Sequence, residues 1–310
     1  MATPMTLSIA VLGLGAWGRT LKGLWEQQGH RVLGWSRRDG GNPAELLPSV
    51  DLVAVAVAMQ GIDGLAERLA SQWPAGLPLL SCSKGIDPHR LATPTQLWHH
   101  HIPQAPLLVL SGPNLATELA QGLPAASVVA GRDQPLVARL QQQLSGDSLR
   151  LYRSDDPIGV EAAGALKNVM AVAAGICDGL GLGANAKASL LCRGLAEMGV
   201  VVRGMGGDAT SLYGLAGLGD LLATANSALS RNYRCGLLLA EGLGEAEVLE
   251  RIDGTVEGPR TARAAMALAE RQGWNLPICD QVVQVLTGHT TPRHAVQALM
   301  HRDLKPEWQS

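Results

Sequence analysis

At 310 residues the chain is about twice an ordinary domain length, so two buried cores are expected. Hydrophobic residues make up 46% and charged residues 17%, a globular balance, but aromatics reach only 3% and Phe is absent, so small aliphatic side chains must fill those cores. A formal charge of −2 with no Lys/Arg run argues against a nucleic-acid surface, which needs a basic stripe, and leaves a small molecule as the expected partner.

In chain order, residues 1–6 lack the basic segment and long apolar core of a signal peptide. The apolar run 7–12, the helix-like segment 16–28 and the apolar run 31–35 make a βαβ unit. Short runs at 52–57, 77–82, 107–111 and 126–130 read as further, mostly buried strands. Together they predict an α/β fold whose N-terminal part is a Rossmann-type, mostly parallel sheet covered on both faces. The uncharged stretch 91–117 is broken by Pro94, Pro103, Pro106 and Pro113, which rules it out as a membrane helix, and no stable membrane insertion is expected. Within it, His99, His100 and His101 read as a solvated loop: adjacent residues rarely converge on one ion, so no metal site is expected.

After about Asp155 the strand-like runs vanish, and helices are expected at 158–174, 186–205 and 260–272. The boundary near Asp155, Asp156 and Pro157 divides the chain into a dinucleotide-binding domain, 1–156, and an all-helical substrate-binding domain, 157–310. Cys82, Cys177, Cys192, Cys235 and Cys279 are scattered and form no CxxC pair, which fits a reducing, cytoplasmic setting. A homodimer is compatible with the sequence but not specified by it.

Gly13-Leu14-Gly15-Ala16-Trp17-Gly18 follows a strand and opens a helix. Its glycines permit a tight turn, admit a pyrophosphate and let helix pack on strand, with the helix amino terminus facing the phosphates. Gly13, Gly15, Ala16, Trp17 and Gly18 are therefore candidate dinucleotide contacts. At the end of the second strand, Trp35-Ser36-Arg37-Arg38 offers two guanidinium groups and no carboxylate where a ribose would be read. Arg37 and Arg38 suit a 2′-phosphate, so NADPH is favoured over NADH, the alternative being two exposed arginines in a polar loop.

Lys167 shares a helix face with Val160, Ala163, Gly164 and Ala171. Small apolar neighbours solvate an ammonium poorly and lower its pKa, so Lys167 is the candidate general acid. Lys84, in Ser83-Lys84-Gly85, follows a strand and reads either as a ligand contact at the sheet edge or as an exposed loop lysine. Asp220 could orient Lys167 or a substrate hydroxyl, or cap a helix, and Thr224, one turn on, could donate to a ligand. Ser230-Arg231-Asn232 offers a planar guanidinium and flanking donors suited to a phosphate, or is a polar turn.

These residues sit in strings that occur in a fixed order: Ser81-Cys82-Ser83-Lys84-Gly85-Ile86, Ser111-Gly112-Pro113-Asn114-Leu115-Ala116-Thr117-Glu118, Gly164-Ala165-Leu166-Lys167-Asn168-Val169, Leu215-Ala216-Gly217-Leu218-Gly219-Asp220-Leu221, Ser230-Arg231-Asn232 and Val256-Glu257-Gly258. The series resembles the bacterial NAD(P)-dependent glycerol-3-phosphate dehydrogenases. The resemblance implies reduction of dihydroxyacetone phosphate to glycerol 3-phosphate for glycerophospholipid synthesis. It implies substrate contacts at Lys84, Gly112, Asn114, Lys167, Asp220, Ser230, Arg231 and Asn232, and cofactor contacts at Lys84, Ala116, Arg231 and Glu257 as well as at the glycine loop. The chain departs from the pattern at Asn114, where Ser or Thr is usual, at Leu115, where Phe is usual, and at Ala225-Asn226. The stretch from Asp178 to Lys187 resembles the family's Gly-rich link, with Asn185 expected to cap the next helix and Arg193 to pair with Glu197 along it. Met198 and Met205 are expected to pack.

A 3-hydroxyacid or 6-phosphogluconate type of dehydrogenase would share this layout but use a Lys-x-x-x-Asn arrangement, whereas Lys167 and Asn168 are adjacent. A non-catalytic NADPH sensor would be marked by loss of Lys167 or Arg231, and both are present.

Overall fold

A computed structural model of the chain describes residues 6–304, 306 and 307; residues 1–5, on which the reading of the amino terminus bears, lie outside the described residues. Buried apolar β1 (Ser8–Leu12) leads into α1 (Ala16–Gln27), and β2 (Arg31–Trp35) returns parallel beside it. β3 (Leu52–Val55) then pairs on the other side of β1, followed by α2 (Ile62–Ala70), β4 (Leu79–Ser81), α3 (Pro94–His101) and β5 (Leu107–Ser111). A short α4 (Ala116–Ala120) reverses the chain, so β6 (Ala125–Gly131) is antiparallel to β5. After α5 (Gln134–Leu144), β7 (Leu149–Ser154) runs parallel to β6. The sheet order is β2-β1-β3-β4-β5-β6-β7. The first five strands point one way, and the chain leaves β1 to opposite sides, the topology whose carboxyl edge takes ligands in open α/β sheets.

The strand expected at 107–111 has those bounds, whereas those at 52–57 and 77–82 are shorter than expected. β7 was not anticipated: Leu149 and Leu151 are buried while Arg150 and Tyr152 are exposed, the alternation of an edge strand instead of a continuous apolar run. The histidine run is not a loop. Pro94 starts α3, Gln96 Oε1 accepts from Thr93 N at 2.9 Å, and the helix runs on through His101, whose Nε2 lies 2.8 Å from Asp63 Oδ1.

One face of the sheet buries Leu21, Trp25, Leu140 and Leu144; the other buries Met59, Ile62, Trp73 and Trp98, the last two with ring centres 5.9 Å apart. With no Phe, the indoles supply aromatic bulk there. Beyond the sheet the chain is helical, built around α6 (Pro157–Gly179), whose start is capped by Asp156 Oδ1 accepting from Gly159 N at 2.9 Å. α6 is long and apolar enough to cross a membrane by length and composition, but its apolar window is wholly buried within the protein. A helix apolar all round is what a central core position demands.

Around α6 pack α7 (Gly183–Gly204), α8 (Asp220–Ala225), α9 (Arg231–Ala240), α11 (Gly258–Gln272) and α12 (Pro277–Leu286), with α10 (Glu245–Glu250) and α13 (Pro292–Met300) outside. Each fully buried Leu or Met here, such as Leu166 and Met170, contributes roughly 1.5–3 kcal/mol. α9 approaches closest: a Cβ on Gly236 would stand 2.0 Å from Val172 O, and one on Gly175 would stand 2.1 Å from Tyr233 O.

Two expectations fail in this region. Asn185 does not cap α7, which starts at Gly183 and contains it. Arg193 and Glu197 do not pair: Glu197 is buried and accepts from Ile278 N and Cys279 N, both at 2.8 Å, while Arg193 donates to Glu307 O at 3.2 Å. The unpaired N–H groups opening α12 compete for the carboxylate and win.

Candidate active site

The carboxyl edge of the sheet and the flank of α6 bring two lysines to one carboxylate. Lys84 follows β4 at this edge, and Lys167 projects from the buried face of α6. Asp220 opens α8 behind the π turn Leu215–Gly219, where Gly219 N donates to Gly214 O at 3.1 Å. Wide turns of this kind recur at functional sites because they re-aim the next side chain. Lys167 Nζ donates to Asp220 Oδ1 at 2.9 Å, and Lys84 Nζ to Asp220 Oδ2 at 2.5 Å and to Gly112 O at 3.0 Å. Thr224 is not free to donate to a ligand. It accepts from Lys167 at 2.6 Å and gives its own proton to Asp220 Oδ1 at 3.1 Å.

Burial brings the Lys167 ammonium down to about 8, with Lys84 and Arg231 adding like-charge repulsion and Asp220 opposing the shift. Burial works against the charge on Asp220, yet the two ammonium groups outweigh it and hold its carboxyl below the ordinary range. Lys84 is no exposed loop lysine, its side chain being 18% accessible.

Ser230 caps α9, accepting from Tyr233 N at 3.2 Å, which sets Arg231 in the first turn. Asn232 binds across elements: its Nδ2 donates to Asn168 Oδ1 at 2.8 Å and its Oδ1 accepts from Gly258 N at 2.9 Å. Glu257 reaches the sheet side, where its Oε1 accepts from Met59 N at 3.2 Å; its Oε2 is buried without a partner, and burial raises its pKa.

The glycine loop fits a dinucleotide by its own geometry. Gly13 has φ +101°, and a Cβ there would lie 2.8 Å from the Ala56 carbonyl. A Cβ on Gly18 would lie 1.9 Å from Gly13 O, so the first and third glycines are fixed by close packing. A Cβ on Gly15 would meet nothing within 4 Å, leaving that face of the loop open. Thr20 Oγ1 donates to Ala116 O at 3.2 Å, holding Ala116 beside this helix. Arg37 and Arg38 are exposed beyond β2, the edge strand on the β1 side, away from the lysines.

Two buried polar groups escaped the sequence reading. Glu161, on α6, accepts from Thr95 N at 3.0 Å and from Thr95 Oγ1, which ties α6 to the start of α3; burial raises its carboxyl to about 7. A lone carboxylate in the apolar stretch before Lys167 was a usable signal. Ser127, on β6, is fully buried and donates to Asn114 Oδ1, a contact that spacing along the chain does not reveal.

Sequence models described as the N-terminus and C-terminus of NAD-dependent glycerol-3-phosphate dehydrogenase match residues 40–137 and 156–297. A glycerol-3-phosphate dehydrogenase [NAD(P)+] of Synechococcus sp. (strain RCC307) is 54% identical over 98% of this chain and 100% of its own length. This chain belongs to the NAD-dependent glycerol-3-phosphate dehydrogenase family. The crystal structure of glycerol-3-phosphate dehydrogenase from Coxiella burnetii superposes with a TM-score of 0.90 at 33% identity, covering 96% of this chain and 99% of that one. A 3-hydroxyisobutyrate dehydrogenase of Mycobacterium tuberculosis, at 15% identity and a TM-score of 0.51 over 95% of this chain and 99% of its own, shares the fold alone.

Proposed function

We propose that this dehydrogenase reduces dihydroxyacetone phosphate to sn-glycerol 3-phosphate with Lys167 as the proton donor, supplying glycerophospholipid synthesis in the cytoplasm. The bound nicotinamide supplies the hydride, and NADPH is preferred, with NADH accepted. Gly13, Gly15, Ala16, Trp17 and Gly18 hold the pyrophosphate end, while Arg37 and Arg38 meet the 2′-phosphate. Ala116, Arg231 and Glu257 flank the cofactor further along. Residues 1–156 thus form the nucleotide domain and 157–310 the substrate domain.

The observation that carries the reading is the shared carboxylate, which keeps a buried lysine with a pKa of about 8 beside a second cation. A general acid works best with its pKa near the working pH. Lys167 gives its proton to the developing alkoxide and takes one back in reverse, Asp220 holds its ammonium in place, and Lys84 offsets negative charge on the reacting oxygen. Arg231, with Ser230 and Asn232 beside it, grips the phosphate, and Gly112 and Asn114 close over the substrate. Binding energy from that remote phosphate then aligns the carbonyl.

The test is oxidation of NADPH or NADH, followed by absorbance, with dihydroxyacetone phosphate or with dihydroxyacetone. Turnover of the phosphate ester at far higher kcat/KM is expected. Similar values for both ketones would remove the phosphate grip. No oxidation by folded, NADPH-binding protein would turn the reading to a sensor or another carbonyl.

A further inference from the structure

Asn114 stands where the family resemblance expects a hydroxyl, and the exchange raises a geometric problem. A hydroxyl can turn its proton to suit a ligand, whereas a carboxamide has a donor end and an acceptor end and must be held one way round. The protein holds it. Ser127 Oγ donates to Asn114 Oδ1, and Asn114 Nδ2 is left buried without a protein partner. Ser127 is fully buried and has no other acceptor among the described residues, so its single proton designates the amide oxygen and turns the NH2 away.

The reversed strand puts Ser127 there. β5 and β6 pair antiparallel, with Ser111 opposite Val128, and the next step brings Gly112 against Ser127. A Cβ on Gly112, where φ is +146°, would stand 2.9 Å from Ser127 Cα and 3.0 Å from its Oγ. A parallel β6 would carry Ser127 to the opposite end of the sheet. The Gly112–Asn114 loop also lies on the lysine cluster, since Lys84 Nζ donates to Gly112 O at 3.0 Å and Pro113 packs towards Gly219, next to Asp220.

We propose that Ser127 is a positioning residue that fixes the Asn114 carboxamide with its N–H2 towards the three-carbon phosphate, so that this side of the site selects an acceptor oxygen on the substrate. The proposal rests on the function given above and deepens it. Ser127 touches neither substrate nor cofactor; it acts through Asn114. Removing its hydroxyl frees the amide to turn, and half of its orientations then set an oxygen against an oxygen.

The test is a double-mutant cycle of wild type, Ser127→Ala, Asn114→Ser and the pair, read as KM and kcat for dihydroxyacetone phosphate, with thermal unfolding alongside. Ser127→Ala is expected to raise KM roughly fivefold to tenfold and leave kcat within about twofold. In the Asn114→Ser background the same change is expected to move KM by less than about twofold, because no amide remains to be oriented. An equal KM effect in both backgrounds would overturn the proposal, leaving Ser127 as packing beneath Gly112, and so would an unchanged KM in Ser127→Ala. If wild type fails to turn over the substrate, the function fails first. Protection of the same four proteins against thermal unfolding by glycerol 3-phosphate then reads the cycle without catalysis, and the same equal or absent effect overturns it.

Discussion

The glycine loop and the lysine cluster sit on one sheet edge but are built from opposite materials. The loop is a backbone device: Gly13 and Gly18 are fixed by contacts that leave no room for a Cβ, and the surface offered to a ligand is main chain. The cluster is a side-chain device, in which Asp220 is held by Lys84, Lys167 and Thr224 from separate elements. Shape governs the first and charge the second, so the two should fail differently.

The largest effect is expected from Lys167→Ala, which removes the proposed proton donor and leaves Asp220 buried with one cation fewer. Steady-state kinetics should show kcat lower by about 10²–10⁴-fold, while NADPH binding by fluorescence changes little. Loss of cofactor affinity on the same scale would break the division between the two ends. Next in size, Gly18→Ala should lower stability by roughly 1–3 kcal/mol through overpacking, seen as a lower melting temperature. Gly15→Ala, whose Cβ meets open space, should leave melting unchanged and weaken NADPH binding about tenfold, near 1.4 kcal/mol. Equal melting losses would contradict the packing argument.

The pH response sharpens the charge side. Lys167 titrates near 8, so the acid form needed for reduction is present below that pH, and kcat for reduction should fall as pH rises through 8. Asp220 opposes the burial that lowers the Lys167 pKa, so Asp220→Asn should move the midpoint to lower pH. A profile unmoved by that change would detach Asp220 from the group that titrates. An effect confined to one nucleotide is expected from Arg37→Ala and Arg38→Ala: about tenfold weaker NADPH binding, in line with loss of one charge-assisted hydrogen bond, with NADH unchanged. Equal losses for both nucleotides would remove the 2′-phosphate argument.

Features encoded locally were legible in the sequence. The strand-turn-helix at Gly13–Gly18 and the lysine in a small apolar face at Lys167 announce themselves within one turn of chain. Features decided by distant competitors were not. Arg193 and Glu197 have ideal pairing separation, but the start of α12, some eighty residues on, takes the carboxylate. Thr224 has the right face for a ligand, yet its hydroxyl is claimed by Asp220. Ser127 gains its role only because β6 runs backwards, and nothing in its neighbours along the chain forecasts that reversal.

The close approach of α6 and α9 has a consequence for how the site tolerates change. Val172 lies five residues past Lys167 and Gly236 five past Arg231, and a Cβ on Gly236 would stand 2.0 Å from Val172 O. Lys167 and Arg231 are therefore gauged against each other by main chain touching main chain, about one turn and a half further along each helix. No side chain is part of that gauge, so its setting depends on the absence of a Cβ at Gly175 and Gly236 and not on the leucines and methionines around these helices.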